Sequence, residues 1–389
     1  MLMQPDIEIV PAFMPLPQNF QVRIVPTISD IARQDWNACF PGEVESYDYL
    51  LAVEKAKLVG FDWRYVTLCH RGRILAAAPA FLCDYGLETT LERGRLTQAV
   101  ERIRAVFPRF LKLRLACIGS PCTETGQIGI RPDVPEDWRK ALLVELLRSF
   151  QAEAEREGYS LFALKDIPQP MAAPLSKALE MEQFVSMEGM ATAWLDIDFK
   201  TVDAYLERLS AGTRKDMRRK LRSASTVQIE RVTELGDLLQ RFMELYASTR
   251  ERSEWQFEEL TAAYFEGILS RLPGNSFCTV YRVDGEVLAF NLVLRDGLRL
   301  IDKFFCMDAD AGRAYNLYYL SWFENVRYCL EQGYRRYQSG QAYYENKIRL
   351  GSSLTQNSMF FRHRNPVIQA CLMKMAAFFA IPPAGKQDQ

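Results

Sequence analysis

The chain has little histidine, two in 389 residues, and no imbalance of charge: 48 Lys and Arg face 49 Asp and Glu, for a formal net charge of -1. A near-zero balance excludes a whole-protein field for nucleic acid or an anionic membrane, so any such partner must be met by a local patch. His70 and His363 are too sparse for a metal centre or a catalytic triad, and surface roles are expected for both. The nine cysteines are scattered, and the closest pair, Cys117 and Cys122, has no matching pair. That argues for reduced thiols in a cytoplasmic protein, with no metal and no disulfide frame. Long apolar runs are missing as well: no window reaches the roughly 18 residues that a spanning helix needs. The N-terminal stretch MLMQPDIEIVPAFMPLP carries acids and four prolines and does not read as a secretory leader. No G-x-G-x-x-G follows a strand-like run, and there is no G-x-x-x-x-G-K-[ST] or G-x-S-x-G, which disfavours nucleotide hydrolysis and serine hydrolase chemistry.

What is present is a globular composition, 48% hydrophobic and 25% charged, long enough for two domain-sized cores. Short helices are expected over Ser29 to Phe40, with Ser29 as N-cap, and over Ser46 to Val59. Tyr65 to Cys69 and Ile74 to Leu82, turning at Arg71-Gly72, read as a hairpin. Leu87 to Arg114 is basic and helix-permissive without clear bounds, and Leu111 to Ile118 reads as a strand. Pro135 to Glu157 is a helix, because Trp138, Leu142, Leu143, Leu146 and Phe150 recur at helical spacing before Gly158. A strand follows over Tyr159 to Lys165, and the prolines of 167–174 predict a loop.

A second unit begins near Ala191. Asp284-Gly285 and Asp296-Gly297 join three strand-like runs into an antiparallel meander. Tyr315, Tyr319, Trp322, Val326 and Cys329 line a helix that stops at Gly333, and the strand Tyr334 to Gln338 comes next. The same order, hairpin then helix ending Gly-Tyr then strand, occurs in both halves and suggests a duplicated α/β unit. The apolar stretch Val367 to Pro383, interrupted by Gln369 and Lys374, is read as a helix docked on the core, with an interfacial helix as the alternative.

Two segments can carry chemistry. TRKDMRRKLR, residues 213–222, holds six basic residues and one acid, with Thr213 and Asp216 spaced like a capping box. Arg214, Arg218 and Arg222 align at four-residue spacing, with Lys215 and Arg219 beside them. Like charges this close repel, so they point to an anionic partner, phosphate above all, or else form a solvated face balanced by nearby acids. The second segment, GYRRYQSGQAYYENKIRLG over 333–351, presents Tyr343, Tyr344, Glu345 and Lys347 just after a strand. A cleft edge or a tyrosine-rich turn both fit that placement. Asp302 and Lys303 on the last meander strand would line the same cleft or form an inter-strand ion pair. Cys306 and Cys329 fall on apolar runs and are expected to be buried.

From Ala191 to Gly351 the order W-L-D-I-D, the basic T-R-K-D-M-R-R-K-L-R helix, a meander with V-D-G-E-V-L-A-F, a helix ending E-Q-G-Y, and G-x-x-x-Y-x-x-K at Gly340, Tyr344 and Lys347 resembles the GNAT-like acyltransferases of the FemAB-related, BioF2-like and CelD-like group. The resemblance implies an α/β (α+β) fold of tandem GNAT-like domains, each a mostly antiparallel twisted sheet flanked by helices. It implies an extension over 1–20, domains over 21–190 and 191–365, and an apolar helix and tail over 366–389.

The activity implied is transfer of an acyl group from acyl-CoA, as co-substrate without a resident cofactor, to a small-molecule amine. The alternatives are aminoacyl transfer from tRNA held at the basic helix, and a catalytically silent protein that binds anions or lipid, with peripheral membrane contact through the C-terminal helix. Lys347, Glu345 and Tyr344 would act at the reacting centre. Arg313, Asn316 and Lys303 would touch the donor, and Arg214, Lys215, Arg218, Arg219 and Tyr343 an anion or the substrate. Two departures stand out. Many relatives carry an acid where this chain has Gln338, and AGRAYN at 311–316 lacks the repeated glycines of a pyrophosphate cradle.

Overall fold

The computed structural model describes residues 20–86, 112–253 and 257–378. The readings that fall on 1–19, 87–111 and 379–389 lie outside the described residues. The first half runs β1 (Phe20–Val25), α1 (Arg33–Asn37), α2 (Tyr47–Lys55), β2 (Phe61–His70), β3 (Arg73–Gly86), β4 (Lys112–Ile118), β5 (Gly129–Ile130), α3 (Glu136–Arg156), β6 (Leu161–Pro168), α4 (Gln169–Met181) and β7 (Val185–Glu188). The second half opens with β8 (Thr192–Asp196), α5 (Val202–Arg208), α6 (Ala211–Lys220), β9 (Gln228–Val232), α7 (Leu239–Glu251) and α8 (Ala262–Arg271). Its meander is β10 (Ser276–Val283), β11 (Glu286–Arg295) and β12 (Arg299–Met307). After it come α9 (Ala309–Ala314), α10 (Leu317–Gln332), β13 (Arg336–Gly340), α11 (Tyr344–Arg349), β14 (Ser353–Thr355), β15 (Asn357–His363) and α12 (Pro366–Phe378).

These strands form two sheets. The first is ordered β1-β2-β3-β4-β6-β15-β7, with β5 against β3, and the second β14-β8-β13-β12-β11-β10-β9. Each is antiparallel except for one parallel pair, β4 with β6 in the first and β12 with β13 in the second. The chain is thus two mostly antiparallel sheets in tandem, flanked by helices. The hairpin turns follow from local chemistry: Arg71 and Gly72, and Asp284 and Gly285, all have positive φ, the twist that two-residue turns between strands require.

Several local expectations are corrected. Thr27, not Ser29, caps the first short helix, and α1 covers only Arg33–Asn37. Residues 167–174 are not a loop: β6 runs to Pro168 and α4 starts at Gln169. Pro170 is tolerated there because the first turn of a helix has no partner for its N–H. The cap of α6 is Ser210, whose hydroxyl accepts from Thr213 N at 3.2 Å, so Thr213 lies inside the helix. His363 is buried in β15, and its ring Nδ1 accepts from Asn365 N at 2.9 Å.

Residues 357–363, placed by their order with the second unit, add β15 to the first sheet between β6 and β7. The two sheets also share one core. Phe290, Leu292, Ile301 and Cys306 from one face of the second sheet pack with Tyr49, Leu50 and Val53 of α2 and with Tyr264, Phe265 and Ile268 of α8. Within that seam Lys303 Nζ lies 2.6 Å from Glu45 Oε1, and both residues are buried. Removing one partner of such a pair strands the other charge in a low-dielectric seam. Lys303→Met is therefore expected to destabilise the chain by about 3 kcal/mol, read as a fall in the urea midpoint. The double variant Lys303→Met/Glu45→Leu should recover most of that loss, and equal midpoints for the parent and the single variant would rule out a structural role for the pair.

Candidate functional site at the junction of the sheets

The parallel contact of β12 with β13 lasts only from Arg299↔Arg336 to Ile301↔Gln338. A bulge then interrupts the other side of β12, where Val293 faces Asp302 and Leu292 faces Phe304. Bulges bend a strand and re-aim its side chains. Here the two strands part beyond Ile301 and Gln338, and the gap is lined by Asp302 and by Ser339-Gly340.

Asp302 faces α10. Its Oδ2 accepts from Tyr337 OH at 2.8 Å and from Asn325 Nδ2 at 3.3 Å. Burial pushes its carboxyl up to about 6, against the hydrogen bond from Tyr337 and the positive charge of Lys347. Lys347, which is 5% exposed, donates from Nζ to Gln341 O at 2.9 Å. Burial lowers its ammonium to about 8, although the Glu124 and Asp302 carboxylates pull the other way.

The second carboxylate comes from the first lobe. The loop after β4, residues 119–127, reaches across the seam and turns three successive carbonyls inward. Cys122 O accepts from Lys303 Nζ at 2.9 Å and from Tyr49 OH at 2.6 Å. Thr123 O accepts from Lys165 Nζ at 2.8 Å. Glu124 O accepts from Gln341 Nε2 at 3.1 Å and from Asn357 Nδ2 at 3.3 Å. The far end of the loop is equally constrained: a Cβ on Gly126 would lie 2.2 Å from Lys165 O, so only glycine fits. So held, the Glu124 side chain accepts from Gln338 Nε2 at 2.6 Å through Oε2. Burial raises its carboxyl while Lys303 and Gln338 oppose the shift. Its Oε1 lies 3.0 Å from where a Cβ on Gly340 would be.

Of the residues expected here from the sequence, Lys347 is in the cluster and most of the others are not. Glu345 is exposed on α11 and does not point into the gap. Tyr344 OH is committed to Ala191 O at 2.9 Å, which makes it a wall. Tyr343 is 74% exposed and, like Ala342, has positive φ, a strained pair at the mouth of the gap. Lys303, the extra residue of the bulge, gives its amine to Glu45 and Cys122 O, and its charge acts on Glu124 from there. Arg313 is exposed in α9, and Asn316 stands in the left-handed region just before α10, with no side-chain capping bond.

The basic helix is partly spent on structure. Arg219, Lys220 and Arg349 all reach Asp216, and these hydrogen bonds hold its carboxyl well below the usual range. Arg214 donates to Glu207 O at 3.2 Å. Lys220 lies over the Tyr319 ring at 3.5 Å, and Ser223 Oγ donates to Tyr315 O at 2.7 Å, so this segment packs on the start of α10. Among the described residues Lys215, Arg218 and Arg222 are cations with no ion-pair partner, and all three are exposed. Among the described residues no group of three or more His, Cys, Asp or Glu side chains is arranged to hold a metal.

Sequence reasoning missed Glu124, Asn325 and Tyr337. Glu124 lies in the turn-rich GSPCTETG, where nothing local distinguishes it from a solvated loop acid. The one clue was the amide at 338 where an acid was expected.

Comparison with known proteins adds a family and a fold. The FemAB-like family model, described as peptidoglycan biosynthesis/recognition, matches residues 27–376. A putative 8-amino-7-oxononanoate synthase 2 of Mycobacterium tuberculosis is 23% identical over 339 residues, 85% of this chain, and the chain spans 43% of that protein's length. Among solved structures, FemX superposes with a TM-score of 0.58 at 15% identity, covering 87% of this chain and 98% of its own. The C-terminal domain of a putative lysylphosphatidylglycerol synthetase from Agrobacterium fabrum gives 0.51 at 15% identity, covering 92% of this chain and 96% of its own.

The cluster makes a stability prediction. Folded Lys347 loses its proton near 8 rather than 10.5, so between those values the unfolded chain binds more protons and stability rises with pH. Asp302 has the opposite sign: stability falls as pH rises from 3.8 to about 6. Lys347→Met should be more stable than the parent at pH 7, by about 2 kcal/mol, with the gap closing above pH 10. Urea unfolding across that range checks it, and a pH-independent gap would contradict the buried ammonium.

Proposed function

The chain belongs to the FemAB-like family, and on that premise we propose that it transfers an acyl group from an activated donor to an amine, with acyl-CoA as the donor. The observation that supports this reading best is the end of the β12–β13 pairing, where one buried lysine and two buried carboxylates, drawn from both lobes, lie within electrostatic reach of one another. Transfer to an amine needs three services: charge stabilisation for the carbonyl oxyanion, an acceptor for the proton that nitrogen loses, and a proton for the leaving group. Lys347 is suited to the first and third, since an ammonium loosened to about 8 can face an oxyanion and then release its proton. Glu124 or Asp302 is suited to the second, because burial keeps each more basic than a solvated carboxylate. In balanced form, the amine nitrogen bonds to the carbonyl carbon, the carbon–sulfur bond breaks, the nitrogen's proton passes to a carboxylate, and the departing sulfur takes one from Lys347.

Arg313, Asn316 and the start of α10 would meet the donor's phosphates. One observation favours a second donor. The exposed cations Lys215, Arg218 and Arg222 on the segment packed beside α10 extend past what a single pyrophosphate would occupy, as a charged tRNA would require. With tRNA the bond broken is carbon–oxygen and the rest of the scheme is unchanged.

The test pairs binding with turnover. Acyl-CoAs of graded length should raise the melting temperature of the parent chain and release CoA when amines are present. Lys347→Ala should keep that thermal shift while transfer falls by about a hundredfold or more, and full activity in that variant would refute the lysine's role. If no acyl-CoA gives a shift and aminoacyl-tRNA is retained on the chain, with retention lost in Lys215→Glu/Arg218→Glu, the tRNA reading replaces the first. Glu124→Gln preserves the bond to Gln338 in form, so a large loss of transfer in that variant separates proton acceptance from holding the seam together.

A further inference from the structure

Helix α12 is attached to the protein by little. It lies on the face of the first sheet that carries Phe361, Val185 and Met187, where Leu372 joins their apolar cluster. Gln369 adds one polar tie, its Oε1 accepting from His363 N at 2.7 Å. Helices α3 and α4 cover the other face, packed on Phe360 and its neighbours. The rest of the described side chains of α12 turn outward. Val367 is 69% exposed, Met373 46% and Ile368 36%, and Ala370 and Cys371 are exposed between them. Scattered exposed aliphatics are ordinary, but two successive turns of them on one helix are a patch that soluble surfaces avoid.

Along the chain, the charge on either side of this patch has one sign. From Asn346 to Gln387 the sequence holds no Asp or Glu, while Arg364 stands just before α12 and Lys374 on it. Both are exposed and, among the described residues, neither has an ion-pair partner. Asn365 caps the helix, its Oδ1 accepting from Val367 N at 2.9 Å, so Arg364 and Lys374 bracket the apolar turns.

We propose that α12 is an interfacial helix that docks the first lobe on an anionic lipid surface. An apolar face set between cations fits the boundary of headgroups and acyl chains, where the aliphatic side chains leave water and the lysine and arginine meet acidic headgroups. The same face fits a second copy of this chain poorly, because a two-fold pairing of antiparallel helices would bring Arg364 of one copy toward Lys374 of the other, cation against cation. The inference stands apart from the transfer reading, since none of these residues lies in the gap between β12 and β13.

Sedimentation of the full chain with vesicles tests it. Phosphatidylcholine mixed with phosphatidylglycerol at about one part in three should carry the chain down at low salt, at least tenfold more tightly than phosphatidylcholine alone, and added salt should weaken that binding. Ile368→Asp/Met373→Asp should reduce binding about tenfold or more, and Arg364→Glu/Lys374→Glu severalfold. All four positions are exposed, so unchanged unfolding midpoints are expected. The proposal is overturned if the chain ignores anionic vesicles, or if both double variants bind as the parent does. It is also overturned if the parent is a dimer that Ile368→Asp/Met373→Asp dissociates while vesicle binding is unaffected, which would assign the face to a second copy.

Discussion

Three consecutive peptide carbonyls at the seam fix the loop that joins the two lobes, the first and third by bonds from the second lobe and the middle one by a bond from the first. Those of Cys122, Thr123 and Glu124 point inward and are met by Lys303, Lys165 and Gln341, three side chains from three different strands or loops. A buried carbonyl without a donor costs about as much as a lost hydrogen bond, so the loop cannot move without stranding several at once. Everything else about the site follows from that fixation. Glu124 is delivered to Gln338, Lys303 is turned from the gap toward Glu45, and the bulge in β12 has somewhere to send its extra residue.

Two carboxylates and one ammonium meet at the gap, and all three are buried. Two carboxylates are made more basic and one ammonium more acidic by the same cause, removal from water. Opposite shifts of that kind bring the groups closer together in proton affinity, so that a proton can move among them and a reacting ligand at little cost. The neighbouring pair Lys303 and Glu45 shows the contrast. Direct contact at 2.6 Å fixes both charges and leaves them with a structural role.

How much of this was legible in the sequence depended on distance along the chain. The hairpins at Arg71-Gly72 and Asp284-Gly285, the stop at Gly333 and the apolar stripe of α10 are local events, set by backbone handedness and helical period, and they were readable. Cys306 and Cys329 were placed in the core correctly from their apolar surroundings. The prolines of 167–174 misled: Pro170 sits in the first turn of α4, where a proline looks as it would in a loop, and Pro174 lies inside the helix. The cap of α6 slipped from Thr213 to Ser210 for a related reason: both are good caps, and only the entry angle of the chain chooses. Lys347 was found through family spacing. Glu124 could not be, since its meaning lies in Gln338, more than two hundred residues away.

The placement of β15 bears on how the chain must be built. The strand that separates β6 from β7 in the first sheet is, among the described residues, the last in sequence, so the first lobe has a vacant slot beside its edge throughout synthesis of the second. Until residue 363 has left the ribosome, β6 and β7 present unpaired edges. Among the described residues the strands of the second lobe are encoded between 192 and 355, so that lobe has all of them before the first lobe receives β15.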